Sequence, residues 1–325
     1  MTTAQQTPEF APAPYKTRKA RFLDEMERIV PWAQFVALIA PYYPPEGKRA
    51  LGGRPAYPLE VMLRVHCLQI WWNLGDLQTQ EELYEGFSAR SFTKLDGAAT
   101  IPDETTILRF RHLLERHGLA EKIFAWVNEM LSQRGLLLRR GTLVDATIIA
   151  APGSTKNKEG KRDEEMGHTC KGKQWYFGMK AHTGTDAGSG LVHTVKYTAA
   201  NEHDITQASE LLHGEEEFVL GDAGYQGVGK RPENAGRDVQ WLTAMRPGER
   251  RALDMEKESD RLVEYYEKLK ARVRAKVEHP FRVIKQQFGY IRTRYRGLKK
   301  NAARLTMLFT FANLWKVRKQ MMQVA

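Results

Sequence analysis

Three carboxylates stand where an acid is costly to keep. Asp145 follows Leu143 and Val144 in GTLVDATIIA, Asp222 closes the run FVLGD, and Glu278 lies in KARVRAKVEHPFRVIKQQFGYIRTRYRGL. An acid at the end of a buried strand is destabilising unless positive charge meets it. Arg274, Glu278 and Lys285 are four and seven residues apart, so on a helix they share one face and the third acid sits among cations. If the strand ends bearing Asp145 and Asp222 are neighbours and that helix lies across them, three like charges converge and raise one another's pKa. A divalent cation relieves the repulsion. Hard oxygen ligands suit Mg2+, which keeps several waters and bridges to phosphate. Two such ions about 3.5–4 Å apart activate a water or a 3′-hydroxyl on one side of a phosphodiester and stabilise the leaving oxygen on the other. Taken singly, each acid also has a plain structural reading: a turn cap for Asp145, an Asx-turn for Asp222, an intrahelical pair for Glu278.

Spacing argues against two other chemistries. From Gly224 to Lys230 the chain spells G-x-x-x-x-G-K, but Arg231 and Pro232 follow where a phosphate loop needs Ser or Thr to hold magnesium. Gly221 and Gly224 are read instead as letting the backbone turn sharply around Asp222. Cys170 lies near His168, yet no second ligand pair completes a zinc site and Cys67 is far away. A reducing compartment and no structural disulfide are expected.

The formal net charge of +11 is unevenly placed. Residues 261–325 hold seventeen Lys or Arg against three acids, whereas residues 1–260 hold thirty-three bases against thirty-six acids. All the excess positive charge therefore lies in the last fifth of the chain. A segregated basic surface attracts a polyanion without reading its sequence. No apolar run approaches the eighteen or so residues of a membrane span, and MTTAQQTPEFAPAP lacks a signal-peptide layout. A cytoplasmic protein without a membrane partner is expected.

Two kinds of structure must position these residues. After a Pro- and Ala-rich start, the stretch from Lys16 to about Gln133 repeats apolar residues three and four apart, with Pro58 in a first turn and Asp103 as a cap. Thr105, Thr106, Arg109, Arg111 and His112 lie on one of these helices, either as a recognition helix or as the wet face of an ordinary one. After Gly141 the period changes. GTLVDATIIA, WYFGMKAHTGTD, GLVHTVKYTA, EFVLGDAG and VQWLTAM read as strands, HDITQASELLH as a helix, and PGSTKNKEGKRDEEMGHTCKGK as a loop that only a ligand would order. The order is that of a mixed sheet flanked by helices. Pro280 predicts a break or kink within one turn of itself.

At these residues the sequence resembles the bacterial insertion-sequence transposases with a ribonuclease H-like Asp-Asp-Glu core. The carriers are TLVDATIIAAP around Asp145, the D-x-G-[YF] motif at Asp222, Gly224 and Tyr225, and Y-x2-R-x3-E-x6-K at Arg274, Glu278 and Lys285. Ala271 replaces the tyrosine of the third motif, which removes a packing contact beside the site and no metal ligand. STKNKE, FGMKAH, TAANEHD and RPAYPLEVMLRVHCLQIWWNL extend the likeness over nearly the whole chain. The resemblance implies an α+β or α/β fold, a ribonuclease H-like mixed sheet preceded by an all-helical domain. It implies a mobile tail over 1–15, a helical DNA-binding or oligomerisation domain over 16–137, and a catalytic domain over 138–325 with basic C-terminal helices. Asp145, Asp222 and Glu278 would hold two Mg2+ ions, with Mn2+ as a substitute. Arg274, Lys285, Arg282, Arg292, Arg294, Arg296, Lys180, Arg109 and Arg111 would contact DNA, with Tyr225, Gly224 and His182 in support. The implied activity is binding of terminal inverted repeats in double-stranded DNA, hydrolysis at the element's ends and joining of 3′-hydroxyls to target DNA. A homo-oligomer on paired ends, nucleoid-associated when bound, would perform it. A transposase-derived DNA-binding protein, or a nuclease of this fold without strand transfer, is the alternative.

Overall fold

The computed structural model describes residues 15–45, 55–98, 100–158 and 160–324, so the expected tail lies outside it except for Tyr15. Helices come first: α1 (Arg18–Ile29), α2 (Trp32–Ile39), α3 (Leu59–Trp71), α4 (Asp76–Glu85), α5 (Phe87–Phe92), α6 (Glu104–Arg116) and α7 (Leu119–Gln133). Their ends follow local chemistry. Pro31 cannot continue α1 and becomes the N-cap of α2. The Asp103 carboxylate caps α6 by accepting from the Thr106 amide at 2.7 Å. Gly118, in the left-handed region at φ 58°, turns the chain from α6 into α7.

A mixed sheet follows, built from β1 (Gly141–Ala150), β2 (Gly167–Lys171), β3 (Gln174–Asp186), β4 (Val192–Ala199), β5 (Phe218–Gly221) and β6 (Gln240–Thr243). β1 lies between β3, antiparallel, and β5, parallel; β6 extends the parallel edge, and β2 and β4 share the far edge of the long β3 end to end. Helix α8 (Asp204–Gln207) lies between β4 and β5 in the chain. After β6 come α9 (Pro247–Arg251), α10 (Glu258–Arg274), α11 (Glu278–Arg282) and the long α12 (Leu298–Val324). This is a ribonuclease H-like mixed sheet flanked by helices and preceded by a helical region.

Helix α12 is the spine of the core rather than a basic surface. Leu305, Leu308, Phe309, Phe311 and Leu314 are buried in one apolar cluster with Phe22, Trp71 and Phe110 from the early helices and Leu143 and Leu220 from the sheet. Burying side chains of this size contributes roughly 1.5–3 kcal/mol each. Its cations lie toward the two ends. Asn313 substitutes for a neighbouring strand: it accepts from the Val192 amide at 2.9 Å and donates to the Val192 carbonyl at 2.7 Å.

Two sequence expectations change here. The loop expected over 152–173 contains β2, whose alternate residues offer no apolar face; its pairing rests on backbone bonds to β3. The protein itself also holds part of the loop. Asp163 and Glu165 accept from the Gly297 and Leu298 amides, each at 2.7 Å, and so cap α12. Around Pro280 the helix is interrupted as expected. A 3-10 turn (Ala275–Val277) separates α10 from α11, and a π-helical turn (Val283–Gln287) follows α11. The backbone nevertheless stays in the right-handed region, so the segment bends without stopping.

Candidate active site

The register of β1 with β5 decides where the first two acids fall. Leu143 pairs with Leu220, and two further steps along parallel neighbours bring Asp145 level with Asp222. Adjacent strands run about 4.8 Å apart. Asp145 is therefore not at a strand end, as its apolar lead-in suggests, but in the middle of β1, at the level where β5 stops. The 3-10 turn Ala275–Val277 and α11 lie over the same face of β1, with Val277, Phe281 and Ile284 buried in the cluster that holds Leu143 and Ile149. Glu278, first residue of α11, stays exposed at the edge of that contact. A cleft of about 540 Å³ opens there, lined by Asp145, Lys171, Glu278, His279, Arg282 and Lys285.

Each aspartate has one oxygen tied down. Asp145 Oδ1 accepts from the Ala146 amide at 2.7 Å, and Asp222 Oδ1 accepts from the Gly224 amide at 2.8 Å. Gly221 and Gly224 are needed for closeness rather than for a left-handed turn. A Cβ on Gly221 would stand 2.9 Å from Tyr225 Cβ, and one on Gly224 2.9 Å from Asp222 Oδ1. The left-handed glycine of this stretch is Gly227, at φ 85°.

The Asp145 carboxyl is pushed up to about 7 from 3.8, chiefly by burial, which the Ala146 amide opposes; Asp222 and Glu278 raise it further and Arg274 lowers it. These fields show all four groups acting on one point. Below about pH 4 the carboxyl is neutral folded or unfolded, and between about 4 and 7 the folded chain holds a proton that the unfolded chain releases. The group's contribution to stability thus falls as pH rises through this window, and above 7 the full penalty stands. Asp145→Asn in metal-free protein should raise the melting temperature at about pH 8 by a few degrees, on the order of 2–6 °C, and leave it unchanged near pH 4. Equal gains at both pH values in thermal melts would contradict this origin.

Other expected site residues divide. Arg274 is half-buried beside Asp145 and Tyr225. Lys285 lines the cleft and donates to the Ile148 carbonyl at 3.0 Å, which ties the helix to β1. Arg282 is exposed on the cleft and bonds Gln286, while Arg292 is exposed where its backbone bridges the end of β1. Arg296 lines two basic clefts beyond, of about 190 and 360 Å³. Arg109 is exposed on α6.

The structure contradicts three of the expected roles. Arg111 is 6 % exposed and held by Asp76 and Glu115, so it cannot meet a DNA backbone. Lys180 is 9 % exposed, with its ammonium on the Glu202 carbonyl and Asp204. His182 pairs with Ala146, not Asp145, and so lies on the opposite face of the sheet, fully buried against Thr198. Arg294 is not among them: it bonds Asn73, which anchors the segment after α11 to the early helices, and stays exposed on the cleft of about 190 Å³. Tyr225, expected in support, is buried and its hydroxyl has no partner among the described residues, so its support is packing. Two cleft residues escaped the sequence reading. Lys171 lay in the supposed loop, and His279 had no motif to mark it.

The donor set at the cleft consists of carboxylate oxygens, and Oδ2 of each aspartate and both Glu278 oxygens have no protein hydrogen bond among the described residues. Hard divalent cations fit such a set, and one would favour the ionised Asp145 against its burial and against the added repulsion of Asp222 and Glu278. The three carboxylates are not all within 4.8 Å of one another, which is too wide for one ion to gather. Among the described residues, only His193, His213 and Glu216 come that close. That group is already bonded: Thr142 donates to Glu216 at 3.1 Å and meets His193 at 3.0 Å, and the His213 and Gly214 amides bind Glu216. It stands at the start of β1 and serves the fold.

A model of the Transposase DDE domain matches residues 137–314, which carry all three acids and the sheet. The chain belongs to the DDE transposases. A second model, Transposase domain (DUF772), matches residues 13–113 of this transposase, over the early helices. No solved structure matches the chain. It is a DNA transposase of the insertion-sequence type, and its family works with divalent metal ions. No helix among the described residues is long and apolar enough to cross a membrane.

Proposed function

We propose that this transposase binds the terminal inverted repeats of its own element, cleaves DNA there and joins the freed 3′-hydroxyls to target DNA. Asp145, Asp222 and Glu278 would hold two Mg2+ ions, replaceable by Mn2+. The observation that carries this reading is that Asp145, whose carboxyl burial raises to about 7, also stands within the fields of Asp222 and Glu278. When bound, the metal supplies an activated oxygen nucleophile and stabilises the leaving oxygen.

The chain's own groups do the rest. The Gly224 and Ala146 amides each fix one oxygen of an aspartate and leave the other available. Arg274 tempers the repulsion among the acids. Lys171, Arg282 and Lys285 line the same cleft and give it a positive wall suited to a phosphodiester backbone. Lys285, bonded to β1, also fixes where the helix bearing Glu278 sits. Residues 16–137 are assigned to end binding or oligomerisation and 138–325 to catalysis. The working form is a homo-oligomer on paired ends in the bacterial cytoplasm, nucleoid-associated when bound.

Sequencing DNA that copurifies with the protein identifies the ends. A duplex of that sequence with a free 3′-hydroxyl, incubated with a plasmid target and Mg2+, should become covalently joined to it. Cleavage without joining would make the chain a nuclease of this fold, and binding without either a DNA-binding derivative.

A further inference from the structure

Helix α10 wears its apolar residues on the outside. Inward, Glu267 is buried, pairs with Lys270 and accepts from the Met245 amide at 3.1 Å. Glu264 is clamped by Arg250 at 2.8 Å, and Lys270 donates to the Thr243 carbonyl at 2.9 Å. Outward, Leu262, Tyr265, Tyr266 and Leu269 are 54, 57, 56 and 36 % exposed. Their spacing of three, four and seven makes a single stripe. The two tyrosine rings meet edge to face at 6.1 Å in the middle of it. A surface helix ordinarily turns such a stripe toward its own core.

We infer that this stripe is an interface with a second copy of this chain, paired antiparallel about a two-fold axis at Tyr265 and Tyr266. Charge along the helix selects the occupant and its direction. Of the charges not turned inward, Glu258 and Asp260 stand in the first turn, while Lys268 and Arg272 stand toward the other end. Antiparallel pairing sets each acidic end against a basic end and opposes the helix dipoles, whereas parallel pairing sets like against like. A DNA strand is disfavoured at the end of the stripe where Glu258 and Asp260 stand in the first turn. A two-fold contact is also self-complementary: Leu262 of one copy meets Leu269 of the other, and Tyr265 meets Tyr266.

The inference rests on the reading above that the chain works as an oligomer, and it gives that oligomer a face. Helix α10 runs through the turn Ala275–Val277 directly into Glu278, so pairing it fixes two acid-bearing helices in one symmetric unit. A helix of 17 residues is about 25 Å long, and its face is smaller than the ~800 Å² per partner of a standard interface. The dimer should therefore form at tens of micromolar chain, not nanomolar.

The test is sedimentation of the full chain at about 100 µM, alongside Leu262→Glu/Leu269→Glu. The wild type should be dimeric and the double variant monomeric with an unchanged melting temperature, because both positions are exposed. In a Cys170→Ser background, oxidising an equal mixture of Leu262→Cys and Leu269→Cys chains should give a covalent dimer, and either chain alone should not. A wild type that stays monomeric overturns this face, whereas the oligomer on paired ends is overturned only by a chain that also sediments as a monomer with a duplex of the element's end. A dimer indifferent to the two glutamates overturns the face alone. A disulfide from Leu262→Cys by itself would mean parallel pairing, and a loss of DNA retention with unaltered assembly would assign the stripe to DNA; either result overturns the inference.

Discussion

Asp222→Asn should reduce DNA cleavage and joining by on the order of 10³–10⁶-fold while leaving DNA retention intact. The substitution is nearly isosteric, and the amide oxygen can still accept from Gly224, whose amide now stands 2.8 Å from Asp222 Oδ1. The turn Ala223–Tyr225 and the buried Tyr225 ring therefore keep their place. One negative charge disappears from the cleft, and with it a ligand for a hard cation. A loss of 10³ corresponds to about 4 kcal/mol of transition-state stabilisation, more than a change in phosphate contacts at an exposed cation would supply. A second readout does not depend on activity. Asp222 is one of the two acids that raise Asp145, so the variant should bring the Asp145 titration down from about 7. Single-turnover cleavage at saturating DNA and a pH series of thermal melts measure the two effects. Cleavage surviving within tenfold of wild type would remove Asp222 from the proposed metal-holding set.

The parts of this molecule that were legible in its sequence are those where one residue type has one local consequence. An acid after an apolar run, a cap at Asp103 and a proline at 280 each announced their position, and the alternation in GTLVDATIIA announced a strand. What stayed hidden depends on neighbours distant in the chain. β2 has no apolar face of its own and exists because β3 offers it an edge. Periodicity placed Arg111 on a polar helix face, but Asp76 and Tyr295, which capture it, come from thirty-five residues before and the far end of the chain. Lys180 and His182 sit on the same strand as Asp145's neighbour Thr183, and a period of two is enough to send His182 to the other face. The basic C-terminal fifth was legible as charge and not as architecture. The middle of α12 is buried against both the sheet and the early helices, and its composition averages that away.

Arg111→Ala should lower the stability of the whole chain by about 3–5 kcal/mol, a fall in melting temperature of roughly 5–12 °C. The guanidinium donates to Asp76 at 3.0 Å and to Glu115 at 2.8 Å, and it lies 4.0 Å over the Tyr295 ring. Removing it leaves two partly buried carboxylates without a counter-charge; Asp76 retains the Gln69 amide at 2.8 Å. It also enlarges a small existing void lined by His66, Tyr295 and Arg304. Tyr295 belongs to the segment that runs from Glu278's helix back to the early helices, and Arg304 holds its hydroxyl at 2.9 Å. The loss should therefore loosen α6 from the active-site side of the molecule. Arg109→Ala, two residues away and exposed, makes the contrast. It should change the melting temperature by no more than a degree or so, since exposed changes stay within about 0.5 kcal/mol. If α6 reads DNA, its effect appears in binding to the element's ends instead. Destabilisation from Arg111→Ala that is relieved in part by Asp76→Asn would identify the uncompensated carboxylate as the cause. An Arg111→Ala chain as stable as wild type but weaker on DNA would return Arg111 to the DNA-contacting set.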